Sequence, residues 1–306
     1  MTGTDRRTGL RGSFSNRWPV GVAFCLPLIT GLLGLTAYPV LASLYYSMTD
    51  YPVFDRPVWI GLANYRELLS DPRVWISLWN TAYVAIFAVP LGMVAGLLLA
   101  LLLNLKIRGM AFYRTMFFLP SIVPLIASCV LWGQILNAQK GLLNELLRLA
   151  GVPEPWIPGW LSSVFWAKPG LILMSLWGCG GGMVLYLAAL QDVPQELYES
   201  AALDGAGAWR RLWHISLPMI SPVLLFTGVM GLIGSVQYFE QAYVLTGGTG
   251  RPNDATLFYA LNLFNTAFAE YRLGYASAMA WVMFVVILLA TWGVMRLSSR
   301  YVYYHS

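Results

Sequence analysis

The sequence predicts an all-α polytopic membrane protein with six transmembrane helices. Two observations carry that prediction. Hydrophobic residues make up 58% of the chain and charged residues only 11%, with a mean hydropathy of +0.62; soluble domains carry roughly 25% charged residues. Apolar runs of bilayer-spanning length, about 20 residues, recur at about 20–46, 78–103, 112–136, 169–190, 219–240 and 275–297. The transmembrane domain is therefore read as 20–298, between polar tails at 1–19 and 299–306. The net charge of +5 is no nucleic-acid footprint, because the basic residues sit at the ends of the runs. Cys25, Cys129 and Cys179 all lie inside apolar runs, and an odd count argues against a disulfide framework.

The first tail carries Arg6, Arg7, Arg11 and Arg17 against Asp5. Run 20–46 is too long for a signal-peptide core and lacks a small-residue cleavage site. It reads as an uncleaved span, kinked at Pro27 and Pro39. Tyr51-Pro52 and Arg56-Pro57 mark turns in the aromatic-rich segment that follows, and a short interfacial helix begins at Gly61–Tyr65. Span two ends before a short basic loop with Lys106 and Arg108. Pro120 and Pro124 kink span three. Segment 137–168 is polar and Pro-rich, with an amphipathic helix near Leu142–Leu149. Segment 241–274 reads as a turn-rich loop. Six spans place both termini on one side. The tails, 104–111 and 191–218 hold nine Lys and Arg; the longer opposite segments, 47–77, 137–168 and 241–274, hold eight. The higher density assigns the first set to the cytoplasm.

Between spans four and five lies a long polar stretch, Gln191–Pro218 (QDVPQELYESAALDGAGAWRRLWHISLP). Asp192 and Gln195 have capping-box spacing, and Pro194 suits a first helical turn. A helix is expected through about Ala202, presenting Tyr198, Ala201 and Ala202 to a partner. Asp204-Gly205 breaks it, because Gly adopts left-handed dihedrals cheaply. A second short helix, Ala208–Ile215, carries Trp209, Arg210, Arg211 and Trp213, and Pro218 enters the next span. From local chemistry the stretch is either a solvated helix-turn-helix or a small-residue ridge that docks into another chain.

The spacing Glu199-Ser200-Ala201, three residues, Gly205, nine residues, Ile215, one residue, Leu217-Pro218 resembles the cytoplasmic EAA loop of ABC importer permeases. The one departure is Ser200 in place of Ala. Further stretches resemble the maltose and glycerol-phosphate branch of sugar permeases: Trp59–Tyr65, Phe117–Pro120, Gly141–Asn144, Tyr243–Gly248 and Arg272–Ala278. The resemblance spans nearly the whole chain beyond its first tail. It implies a type I ABC importer permease fold (MetI-like) in a bacterial or archaeal cell membrane. It also implies a heterodimeric pore with a second permease, two ATPase subunits, an extracytoplasmic solute-binding protein and a sugar or oligosaccharide as cargo. Glu199, Ser200, Ala201, Ala202, Asp204, Gly205, Ile215, Leu217 and Pro218 would then couple the pore to the ATPase.

No Lys follows a Gly, so the chain has no P-loop; ATP and magnesium are expected on the partner ATPase, and no cofactor on this chain. His214 and His305 lack metal-ligand spacing, and no nucleophile elbow is present. Small and polar residues inside spans mark packing faces or solute routes. Trp177-Gly178-Cys179-Gly180-Gly181-Gly182 strips side chains from a full turn of span four, either for close helix packing or as an opened segment. Ser235, Gln237, Tyr238, Glu240 and Gln241 cluster near the outer end of span five. Ser235 and Tyr238 share a face and by position resemble the polar residues that touch sugar in maltose-type pores. Trp177, Gly178, Gly182, Ser235, Gln237 and Tyr238 are the candidate pathway residues. The cores of spans four to six hold no Lys or Arg, which favours neutral, hydroxyl-rich solutes. Glycerol phosphate, a glycerophosphodiester or another polar solute stays open within the same architecture. A self-contained secondary transporter calls for internal repeats and buried titratable groups, and neither is evident.

Overall fold

The computed structural model describes residues 18–105, 108–298 and 302. Readings on the first tail, Lys106 and His305 lie outside these residues. Among the described residues, four helices are long and apolar enough to cross a membrane: Gly21–Ser47, Pro72–Leu103, Ala208–Val236 and Leu273–Ser298. Two bent pairs, Met110–Ile122 with Leu125–Ile135 and Val164–Trp177 with Gly180–Gln191, bring the count to six when each pair is one span. The fold is that of a helical membrane protein, with one short antiparallel ribbon, Thr49–Asp50 against Val58–Trp59, after span one. Its outer surfaces carry large apolar side chains such as Phe24, 84% exposed, as a lipid-facing helix requires.

Span one runs unbroken through Pro27 and Pro39, but widens to π-type turns at Leu32–Ala37, just before Pro39. Proline removes a donor and crowds the preceding carbonyl, and a wider turn relieves both. The same widening, at Leu212–Ser216, precedes Pro218. Span two begins at Pro72, earlier than its hydropathy indicates. The Asp71 carboxylate accepts from the Arg73 backbone N–H at 2.9 Å, and Pro72 occupies the first helical position.

Span three is not merely kinked. Its halves meet at 96°. Val123, ahead of Pro124, is extended (φ −68°, ψ 131°), as a residue before proline is biased to be. Span four breaks at Gly178-Cys179 with a 48° bend. The second helix of the 191–218 stretch is not separate: it continues into span five as one helix, Ala208–Val236. Span five stops at Val236, so Glu240 begins a new helix, Glu240–Thr246, instead of ending the span. Segment 241–274 also contains the helix Tyr259–Phe268. The amphipathic helix Leu142–Leu149 forms as read, and the interfacial one covers Ala63–Ser70.

Three apolar clusters hold the bundle. At one end, Ala100 and Leu103 of span two meet Met183, Tyr186 and Leu190 of span four and Ile220 of span five. At the other, Val84, Leu171, Tyr238, Phe258 and Leu261 pack together, and Leu68, Val74, Tyr259, Tyr275 and Met279 form a third cluster. That second end is clasped by Arg272–Glu67 (2.7 Å), Arg73–Glu270 (2.9 Å) and Tyr275 Oη donating to Asp71 (2.9 Å).

Candidate coupling loop and solute pathway

The helix of the 191–218 segment covers Gln195–Leu203. Pro194 precedes it, and no side chain caps it, so the Asp192 capping box does not form. Gly205 ends it in the left-handed region at φ +74°. The Gly205 and Ala206 backbone N–H groups donate to the Ala202 and Ala201 carbonyls at 3.1 and 2.8 Å, satisfying carbonyls that the helix end leaves free. Glu199, Ser200, Ala202, Asp204 and Gly205 are exposed, and Ala201 is half-buried. Leu203 is 91% exposed.

Tyr198 does not face outward as expected. It is half-buried against the chain's own bundle, and its hydroxyl bonds to the Ser216 hydroxyl at 2.9 Å. Ile215 and Leu217 pack on the same cluster of spans two, four and five, while Pro218 is half-buried in the first turn of the α-helical part of span five. The motif therefore divides into an exposed half on the first helix and an inward half at the base of span five. The Tyr198–Ser216 hydrogen bond, and the packing of Tyr198, Ile215 and Leu217 on the same cluster, link the two.

Two cavities lie between the spans. The larger, ≈ 540 Å³, is bounded by spans two, four and five and reaches Met93, Gly182, Tyr186, Thr227 and Ser235. The smaller, ≈ 300 Å³, reaches Pro120, Ser121, Ser128, Trp177 and Gly178. Ser175, Tyr238 and Gln241 line both. Neither is lined by a charged side chain. Tyr238 is 8% exposed, its ring stands edge-on to Phe258 at 5.0 Å, and its buried hydroxyl has no hydrogen-bond partner. Ser235 Oγ donates to the Leu232 carbonyl at 2.7 Å and keeps its acceptor capacity. Tyr186 and Thr227 share a hydroxyl–hydroxyl bond of 2.8 Å at the larger cavity.

Five of the six pathway candidates thus line a cavity. Gln237 does not: it is exposed, and Gln241 takes the lining position because the helix stops at Val236. The glycine turn splits between its two readings. A Cβ on Gly180 would overlap the Phe117 carbonyl, so this glycine serves close packing against the break in span three. A Cβ on Gly182 would meet nothing nearer than the Tyr186 ring at 3.7 Å. Ser175, Tyr186 and Thr227 join the linings through tertiary placement alone, because a single hydroxyl in an apolar run does not reveal which way its helix face points.

Residues 88–303 match the family described as binding-protein-dependent transport system inner membrane component. The chain belongs to that family, and is a membrane-embedded ABC transporter permease. It is 39% identical to the probable ABC transporter permease protein YesP of Bacillus subtilis (strain 168), over 94% of this chain and 92% of that one. It is 34% identical to the lactose transport system permease protein LacF of Rhizobium radiobacter, over 92% and 94% respectively. Its backbone resembles a chain in the crystal structure of a bacterial alginate ABC transporter in complex with alginate pentasaccharide-bound periplasmic protein (TM-score 0.79, 22% identity, 93% and 95% coverage).

Proposed function

We propose that this chain forms half of a heterodimeric pore that moves a sugar or oligosaccharide into the cell. An extracytoplasmic binding protein delivers the solute, and two ATPase subunits, holding ATP and magnesium, drive the cycle. Both termini, 104–111 and 191–218 face the cytoplasm. The observation that carries the reading is the Tyr238 hydroxyl, buried and without a partner in the wall shared by two uncharged cavities. An unpaired buried hydroxyl is costly, and a solute hydroxyl passing through either cavity would satisfy it. The cavity volumes fall in the range of small-molecule sites, roughly 300–1,000 Å³. A phosphorylated solute would call for a fixed cation, which neither lining supplies. The sugar names among the relatives point the same way. Trp177, Gly178, Gly182, Ser235 and Tyr238 line the solute route, and the exposed half of the EAA loop, Glu199 to Gly205, docks on the ATPase. Ile215, Leu217 and Pro218 carry its movement into span five.

Reconstitution with the partner subunits tests this. Neutral oligosaccharides on the binding protein are expected to stimulate ATP hydrolysis and uptake. Tyr238→Phe is expected to lower uptake about fivefold, the equivalent of one hydrogen bond, with assembly unchanged. Stimulation by glycerol phosphate and by no sugar would overturn the solute class; unchanged uptake by Tyr238→Phe would remove this residue from the route.

A further inference from the structure

We propose that the coupling end of this chain carries a binding groove for an anionic phospholipid. A groove of ≈ 470 Å³ opens where spans two, four and five end. Leu101, Leu105, Leu190 and Leu212 give it apolar surface, and Trp209 and Arg211 also line it. Trp209 and Trp213 form an edge-on pair at 5.8 Å, yet are 72% and 54% exposed. Tryptophans at the ends of spans belong at the headgroup level, where one face is apolar and the other wet.

Charge identifies the occupant. Arg210 and Arg211 form no ion pair among the described residues. Asp204 shares the neighbouring cleft with both and pairs with neither. Arg211 lines both the apolar slot and the adjoining cleft, which Arg210 also lines. Unneutralised guanidinium at the slot and in the cleft next to it, with exposed tryptophan beside them, matches the two ends of an anionic lipid: acyl chain in the slot, phosphate at the cations. The groove also includes Tyr198 and Ser216, whose hydrogen bond joins the two halves of the coupling segment. A lipid seated there stiffens that joint, so anionic lipid strengthens the coupling of ATP hydrolysis to transport. The inference uses the cytoplasmic placement of this end and does not depend on the solute being a sugar.

The test uses the whole transporter in nanodiscs of phosphatidylcholine, alone or with about a third phosphatidylglycerol. Native mass spectrometry without solute counts retained lipids, and the ratio of solute-stimulated to basal ATP hydrolysis reads coupling. The wild type is expected to retain phosphatidylglycerol over phosphatidylcholine and to couple better in the mixed discs. Arg210→Gln with Arg211→Gln is expected to lose about fivefold in phosphatidylglycerol retention per cation, and Arg211→Lys to keep it. Equal retention of the two lipids by the wild type would overturn the proposal. So would loss of the ATPase from the double variant in pure phosphatidylcholine, which would assign these cations to the ATPase instead.

Discussion

A Cβ placed on Gly180 runs into the Phe117 carbonyl, whereas one on Gly182 reaches only the Tyr186 ring at 3.7 Å. Two glycines in one turn therefore make opposite predictions. Gly180→Ala has to push the breaks of spans three and four apart, and overpacking of this kind costs about 1–3 kcal/mol. It should lower the yield and the melting temperature of the assembled transporter. Gly182→Ala should leave both unchanged. Gly182→Trp projects an indole into the larger cavity and should cut uptake while the complex still assembles. Wild-type uptake by Gly182→Trp would place the solute route elsewhere. The pair also shows how much of the site is legible in sequence. The run of glycines is conspicuous, but which of them packs and which leaves space depends on what crosses it, and Phe117 is 63 positions away.

The coupling segment makes its prediction as an element. Its exposed half and its inward half are separate surfaces, and variants in each should fail differently. Glu199 is exposed; if it meets a cation of the ATPase, that charge-assisted bond contributes roughly 1.5–3 kcal/mol. Glu199→Lys is expected to release the ATPase on purification. Gly205 has open space around it but sits at φ +74°, so Gly205→Val is strained by about 1–2 kcal/mol; it should distort the docking surface with the same result. Tyr198→Phe and Ser216→Ala remove the internal joint, a bond contributing about 1 kcal/mol. They should leave the ATPase bound while the solute-stimulated share of hydrolysis falls. Detachment by the joint variants, or full coupling in all four, would refute this division of labour.

For the whole molecule, the arrangement of spans makes the prediction. The proposed topology, six crossings with both termini inside, puts Gly207 in the cytoplasm; this residue is exposed and lies between the helix Gln195–Leu203 and the start of span five. Gly207→Cys should resist an impermeant thiol reagent in intact cells and react in inverted vesicles. Labelling from outside would invert the topology and separate the loop from any cytosolic ATPase. The opposite end is clasped by Arg272–Glu67 and Arg73–Glu270. Exposed pairs of this kind contribute little stability each, so the rigidity of that end comes from its apolar clusters.

The sequence alone determined what is set by length and by local backbone chemistry. Bilayer thickness dictates the length of an apolar run, so six spans are readable as six runs. Gly205 ends its helix in the left-handed region because no other residue does so as cheaply. Leu142–Leu149 was recognisable because its polar and apolar faces differ. Only the tertiary structure decided how sharply spans three and four break, that Tyr198 turns inward, and that Gln241 rather than Gln237 lines the cavities. The helices Glu240–Thr246 and Tyr259–Phe268 also came from the tertiary structure, as packing rather than propensity stabilises segments this short. The common cause is the solvent. Lipid is as apolar as the protein interior, so a span's polarity pattern does not mark which face meets lipid, which meets another helix and which meets solute. Those faces are assigned only when the helices pack.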